Sequence, residues 1–405
     1  MKRPRPAAKA SARAGLWLLP LALVACRDRS PALTAQPAAP SARRAGEPPA
    51  DDPRARLPLI DSHVHLTPLP ESMAFALRLF DAVGVVKFAV KSAGSWGSPR
   101  YRATRAYAER LGERMAFFIN LDWSGIDQPG WGAREAEHLA RAMRDGASGV
   151  KIFKDLGLGV RLRNGRLLAA DDARLDPIYT RAAELGAIIA WHIADPVAFF
   201  APPTPENERF DELSLAPDWS FYGGDFPSFA ALIAARDRVL RRHPRTIFLG
   251  IHLAGYPESL DYVGRLLDAC PNLFVDVSAR VPEIGHHPAA AARRFFLRYQ
   301  DRILFGTDLI VSPEGLQLGS VSPKPPGLAD ALEFFRRHRR YFETADRQFE
   351  HPTPIQGRWR IDGLDLPLEA LRKIYYDNAD RLIFAPRRAY LRAVANPAAA
   401  PPSTK

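Results

Sequence analysis

Leu59-Ile60-Asp61-Ser62-His63-Val64-His65, an amphipathic segment over 71–82, then Val85-Val86-Lys87-Phe88-Ala89-Val90: this apolar run, helical pattern and second apolar run form a βαβ unit. Both outer runs are short and mostly apolar, as parallel strands covered on both faces require. The unit repeats along the chain. Strands are predicted over 59–65, 85–90, 115–121, 149–153, 188–192, 247–252, 273–277 and 303–307. Helices are predicted over 71–82, 101–111, 132–145, 177–185, 228–243, 259–269, 288–299 and 328–339. Eight strands, each followed by a helix, predict a (β/α)8 TIM barrel over about 59–384, with an open doubly wound sheet as the alternative. The segment 159–171, with Asn164-Gly165 at its centre, reads as a hairpin inserted after strand four. A second insertion, 194–227, follows strand five.

A chain of 405 residues suits one such barrel with extensions. Hydrophobic residues at 47% and charged residues at 25% exclude global disorder and a fibrous repeat. The net charge of +11 raises nucleic acid as a partner, but residues 1–58 hold 11 Lys/Arg against 4 Asp/Glu, leaving 45 against 41 for the rest. The basicity thus belongs mainly to the N-terminal segment, and no nucleic-acid partner is expected.

That segment reads as an export signal. Lys2, Arg3, Arg5, Lys9 and Arg13 precede an apolar stretch over 14–25 that is too short to span a bilayer of roughly 30 Å. It ends in Leu23-Val24-Ala25-Cys26, which resembles a bacterial lipobox, an ordinary signal peptide being the alternative. The lipobox reading predicts a lipoprotein signal peptide over 1–25, lipid on Cys26, a disordered Pro/Ala/Arg-rich tether over 26–56, the barrel domain over 57–390 and a disordered tail over 391–405. Arg27 rather than Asp after the cysteine implies the outer membrane, facing the periplasm. Only Cys270 then remains in the mature chain, so no intrachain disulfide forms.

Barrel active sites lie at the C-terminal ends of the strands, so the residues ending each strand carry the functional signal. Strand one ends in Asp61-Ser62-His63-Val64-His65; alternation along a strand points His63 and His65 the same way, where two imidazoles can share a metal. Alone, such a pair is equally two polar residues at a strand end. His192 ends strand five, His252 strand six and Asp308 strand eight. Singly, each has a bland reading: a histidine satisfied by a backbone carbonyl, or an aspartate capping a helix. Together they converge on one point at the barrel mouth.

These residues sit in Ile60-Asp61-Ser62-His63-Val64-His65, Gly149-Val150-Lys151-Ile152, Ile189-Ala190-Trp191-His192, Leu249-Gly250-Ile251-His252-Leu253, Ile303-Leu304-Phe305-Gly306-Thr307-Asp308 and Tyr376-Asp377-Asn378-Ala379. Through these stretches the chain resembles the amidohydrolase superfamily, in particular the amidohydrolase-related branch that includes aminocarboxymuconate-semialdehyde decarboxylase. The resemblance implies a divalent metal ion, zinc by expectation, ligated by His63, His65, His192 and Asp308, with His252 beside it as a catalytic residue or occasional ligand. Asp308 would be the general base, and His252 would polarise a substrate carbonyl or donate to a developing oxyanion. One metal is usual in this branch. In binuclear relatives a strand-four lysine bridges two metals, so Lys151 is read either that way or, with Lys154, as a substrate-binding or salt-bridged residue.

Arg280 would clamp a substrate carboxylate or pair with a nearby acid. The insertion carries Asp195, Phe199, Phe200, Trp219, Phe221 and Tyr222, and is expected either to wall the substrate pocket, Trp219 and Tyr222 included, or to pack between subunits of an oligomer. His243, His286 and His287 read as surface histidines, and 336–340 as a solvated helix face. Three activities stay open: a hydrolase of a carboxylic amide, ester or lactone, a nonoxidative carboxy-lyase using the same site, and a noncatalytic binding lipoprotein.

Overall fold

The computed structural model describes Arg54 and residues 57–395. The expected signal peptide, Cys26, nearly all of the tether and residues 396–405 lie outside the described residues. Arg54, within the expected tether, donates to Glu343 O and to Asp365 Oδ1, each at 2.8 Å.

Eight parallel strands follow one another in sequence order: β1 (Leu59–Leu66), β2 (Val85–Val90), β3 (Met115–Asn120), β4 (Gly149–Ile152), β5 (Ile188–Trp191), β6 (Ile247–Gly250), β7 (Leu273–Asp276) and β8 (Ile303–Leu304). Helices follow the strands, among them Pro70–Val83, Trp131–Arg144, Phe229–Arg242 and Leu328–Glu343. All eight predicted strands and helices exist, with ends moved by a few residues, as fraying ends allow.

Closure separates a barrel from an open sheet. Ser62 N donates to Phe305 O at 3.0 Å and Asp308 N to His63 O at 2.9 Å, joining the last strand to the first. The chain then continues into β9 (Leu309–Ser312), which runs parallel to β1 with Val64 opposite Leu309. The fold is therefore a (β/α)8 barrel, and the open-sheet alternative is excluded. Strand eight is shorter than expected because residues 305–308 leave the ladder. The Asp61 carboxylate there captures Thr307 N at 3.1 Å and Thr307 Oγ at 2.6 Å, and Asp308 turns left-handed at φ 63°. Gly306 permits the approach, since a Cβ on it would lie 3.1 Å from His63 Cβ.

Two hairpins went unpredicted: β9 with β10 (Gly315–Leu318), and β11 (Phe349–Glu350) with β12 (Arg360–Ile361). The hairpin predicted over 159–171 is present as a narrow one, with Arg161 bridged to Leu167 and Gly165 at φ 83° in its turn.

The barrel interior holds Ile60, Ala89, Ala116, Phe118, Ile188, Ala190, Leu249, Ile251 and Leu304. Ala379, Leu382, Ile383 and Phe384 pack into the same cluster from the C-terminal helical stretch that begins at Leu368. The Tyr376-Asp377-Asn378-Ala379 motif thus serves closure. Asn378 Nδ2 donates to Gln300 O and Ile303 O, both at 2.7 Å, tying this stretch to β8. The last helix, Ala385–Ala395, runs past residue 390 into the segment expected as a tail from 391. No helix of the described residues is long and apolar enough to cross a membrane.

Candidate metal centre

A register shift in β1 between Asp61 and Val64 sets the site. Ile60 belongs to the interior cluster and Val64 to the outer one, so the shift brings His63 and His65 inward after Ile60. His63 Nε2 and His65 Nε2 lie 3.1 Å apart, and Asp308 Oδ1 lies 3.3 Å from the first and 3.1 Å from the second. Strand eight reaches this point only because Asp308 adopts a left-handed conformation. Backbone of this kind costs of order 1–3 kcal/mol and persists where the surrounding structure holds it.

Hydrogen bonds assign the tautomers. His63 Nδ1 lies 3.0 Å from Asp276 Oδ2 and 2.8 Å from Ser278 Oγ, so it carries the proton and Nε2 offers a lone pair. His252 Nδ1 lies 2.7 Å from the carbonyl oxygen of Ser278, which can only accept, so that ring is also protonated at Nδ1. Its Nε2 points to Asp308 Oδ2 at 3.9 Å. In this tautomer the Nε2 lone pair of His252 faces the site. The turn that places it is strained, with His252, Leu253 and Ala254 left-handed in succession.

Electrostatics agree with the geometry. Burial lowers the His63 pKa well below its ordinary value, with Lys151 adding to the effect, and burial followed by Arg280 does the same to His252. Burial alone would raise the Asp308 carboxyl, but His63, His65 and Lys151 outweigh it and hold the group well below the usual carboxylate range. Two imidazole nitrogens and an ionised carboxylate, within 3.3 Å of one another, are a donor set that fits a divalent cation.

His192 lies beside this set, its ring centroid 4.3 Å from that of His252. It is not among the three groups that converge: its Nε2 faces Asp195 Oδ1 at 3.3 Å. Burial pushes its pKa down to about 4 despite Asp195. Asp195, which also pairs with Lys154, is held ionised by Lys154, His192 and Arg280 against the effect of burial.

The cavity over these groups measures about 160 Å³ and is lined by His65, His192, His252 and Asp308 with Lys154, Arg280, Phe199 and Trp219. Trp219 and Arg280 both line it. Arg280 has Asp195 at 3.7 Å and Glu283 at 3.8 Å, while its Nη1 donates to Ala279 O at 2.8 Å. Lys151 and Tyr222 do not line the cavity. Lys151 is buried, with no hydrogen-bond partner for Nζ among the described residues, and burial lowers its pKa to about 8. Tyr222 is 54% exposed, because the neighbouring Phe221 packs inward on Phe200 and Phe226. Larger clefts of about 730 and 930 Å³ exist, but the histidine–aspartate group lines neither.

Asp61, Asp276 and Ser278 join the site without having been expected there, whereas Asp195 belongs to the insertion expected to wall the pocket. The spacing of Asp276-Val277-Ser278 at the end of β7 is the same alternation that marked His63 and His65, and was readable by the same rule.

Comparison with curated proteins returns no match. Among solved structures, 2,6-dihydroxybenzoate decarboxylase from Rhizobium shares 16% identity, with 81% of this chain and 99% of that one covered at a TM-score of 0.44. Dihydroxybenzoic acid decarboxylase from Polaromonas sp. JS666, with bound manganese, shares 15% over 81% and 97% at 0.45. 4-Oxalomesaconate hydratase from Rhodopseudomonas palustris shares 14% over 84% and 99% at 0.45. These likenesses are too distant to bear on the reaction. The amidohydrolase family model matches residues 45–384, a span that holds all eight strands and the histidine–aspartate group: the chain belongs to the amidohydrolase family of metal-dependent enzymes.

Proposed function

We propose that the protein hydrolyses a carboxylic amide, ester or lactone bond in a small, carboxylate-bearing substrate, with one divalent ion, zinc, held by His63, His65 and Asp308 and with His192 as the further nitrogen donor. The observation that carries this reading is the ionised Asp308 carboxylate set against two imidazole nitrogens within 3.3 Å. An ion bound there supplies a Lewis acid and lowers the pKa of coordinated water from 15.7 to about 7.

The chain's own groups divide the remaining work. The second oxygen of Asp308 accepts a proton from the attacking water and returns it to the leaving group. His252 Nε2, 3.9 Å from that oxygen, is a second acceptor on the same side. Arg280 and Lys154 line the cavity as cations that orient a substrate carboxylate. Phe199 and Trp219, with ring centroids 6.1 Å apart, wall it against water. At about 160 Å³ the cavity falls below the roughly 300–1,000 Å³ of drug-sized ligand sites, which favours a small substrate.

A second reading, a nonoxidative carboxy-lyase, draws on that same aromatic wall, since a dry cavity favours loss of a charged carboxylate as neutral carbon dioxide. Zinc-loaded protein assayed against small amides, esters and lactones in ¹⁸O-water separates the possibilities. Solvent oxygen in the acid product supports hydrolysis; carbon dioxide release without it moves the assignment to the lyase; zinc binding with neither leaves a binding protein. We further place the protein at the outer membrane, facing the periplasm and anchored by lipid on Cys26. Cys26→Ser then releases it from membranes with activity intact, and a wild-type protein found in the cytoplasm with its N-terminus uncleaved removes that placement.

A further inference from the structure

The end of β7 brings one carboxylate and one hydroxyl against two site histidines at once. Asp276 and Ser278 are both fully buried. Asp276 Oδ2 accepts from His63 Nδ1 at 3.0 Å, and its Oδ1 accepts from His252 N at 2.8 Å and from Ser278 Oγ at 2.8 Å. Ser278 Oγ lies 2.8 Å from His63 Nδ1 and 3.1 Å from His252 Nδ1. A hydroxyl has one proton and two lone pairs. Here the proton goes to Asp276 and the lone pairs face the two Nδ1–H groups, so its capacity is filled. The Ser278 carbonyl takes the remaining share of His252 Nδ1–H at 2.7 Å. The convergence of His63, His252 and Asp276 is accounted for by these bonds, because each nitrogen facing the aspartate or serine carries a proton.

We propose that Asp276 and Ser278 are positioning residues that set both His63 and His252 as Nδ1–H tautomers and so aim both Nε2 lone pairs at the metal centre. The role rests on the metal-centre reading above. It couples a ligand to a substrate-facing residue through one strand end, so that a single change disturbs both rings. In Asp276→Asn the remaining oxygen is held by its three donors, His252 N, Ser278 Oγ and Ser278 N. The new NH2 then faces His63 Nδ1 and drives its proton to Nε2, which removes the lone pair that would bind metal.

The test is zinc titration of the chelator-stripped full chain by competition with a chromophoric chelator, paired with ¹⁵N imidazole shifts that report each tautomer. The expected result is zinc affinity about 10–100-fold weaker in Asp276→Asn, the usual range for losing an outer partner of a ligating histidine, with His63 shifted to Nε2–H. Ser278→Ala should weaken zinc by less, and Ser278→Thr should restore it, since the hydroxyl is retained. A merely structural pair would lower the unfolding midpoint and leave affinity and tautomers alone. Folded Asp276→Asn with wild-type zinc affinity and His63 still Nδ1–H overturns the proposal. If that variant does not fold, unchanged affinity in Ser278→Ala overturns it instead. Wild-type protein that binds no zinc removes the metal reading, while its ¹⁵N shifts still decide the tautomers.

Discussion

The two ends of the barrel are built from opposite materials. At the C-terminal mouth, Asp61, His63, Lys91, Lys151, His252, Asp276 and Arg280 are all buried, and Ala194, His252, Leu253, Ala254, Ala279 and Asp308 are left-handed. At the other end, Ile60, Phe118 and Leu304 meet Ala379, Leu382, Ile383 and Phe384, with no left-handed residue in the plugging stretch 368–395. Among the described residues, Lys91 and Lys151 at the mouth have no hydrogen-bond partner for Nζ, and Lys91 rests 3.3 Å over the centre of the Phe118 ring. The plug is apolar and relaxed. Buried charge and strained backbone at the mouth are therefore set against apolar packing at the opposite end.

The largest expected effect breaks the mouth alone. Asp308→Asn keeps an oxygen beside His63 and His65 but removes the proposed base, so kcat should fall by about 10²–10⁴-fold with the metal largely retained and the unfolding midpoint little changed. His63→Ala should instead lose the metal. Kinetics and elemental analysis on the two variants check both, and full activity in both would leave the barrel a binding scaffold.

The converse breaks the plug. Phe384 is fully buried, and Phe384→Ala should destabilise the fold by about 3–5 kcal/mol, read as a lower urea midpoint, with zinc content unchanged in the folded fraction. Loss of zinc at a normal midpoint would mean that the two ends are not separable in this way.

A pH series sharpens the same contrast outside the mouth. His338 is buried, its Nδ1 donating to Phe334 O at 2.8 Å, and burial lowers its pKa to about 4. The unfolded chain takes up a proton near 6.5 while the folded chain does not. The neutral ring's contribution is thus complete above about pH 6.5 and is lost progressively as the pH falls toward 4, by about 3 kcal/mol. Urea midpoints between pH 7 and 4.5 should fall less steeply in His338→Phe than in the wild type. Equal slopes would show that other groups carry the acid sensitivity.

The smallest effect is expected on the outer surface. Arg298 and Asp268 pair at 2.9 Å, but their side chains are 66% and 48% exposed, so Asp268→Asn should change stability by less than about 0.5 kcal/mol. A larger change in the urea midpoint would mean that this pair does more than an ordinary surface pair.

Apolar runs and helical patterns are local properties, and they were enough for the repeated βα order, for the strand ends bearing His63, His65, His252 and Asp308, and for the aromatic wall at Trp219. They were not enough for residues whose roles depend on partners far along the chain. Asp61 acts on Thr307, Asp276 on His63, and Asp195 on both His192 and Lys154. Tyr222 and Phe221 are neighbours in one aromatic segment, and only packing decides which of them faces in.

The family, the barrel and the strand ends that carry His63, His65 and Asp308 were legible in the sequence, because periodicity and strand-end residues are written in consecutive positions. Tertiary structure alone decided closure through Ser62 and Phe305, the turning of His192 toward Asp195, the burial of Lys151 and the Nδ1–H tautomers of His63 and His252. Those outcomes depend on which donor meets which acceptor across the barrel mouth, and such meetings exist only once distant strands have been brought together.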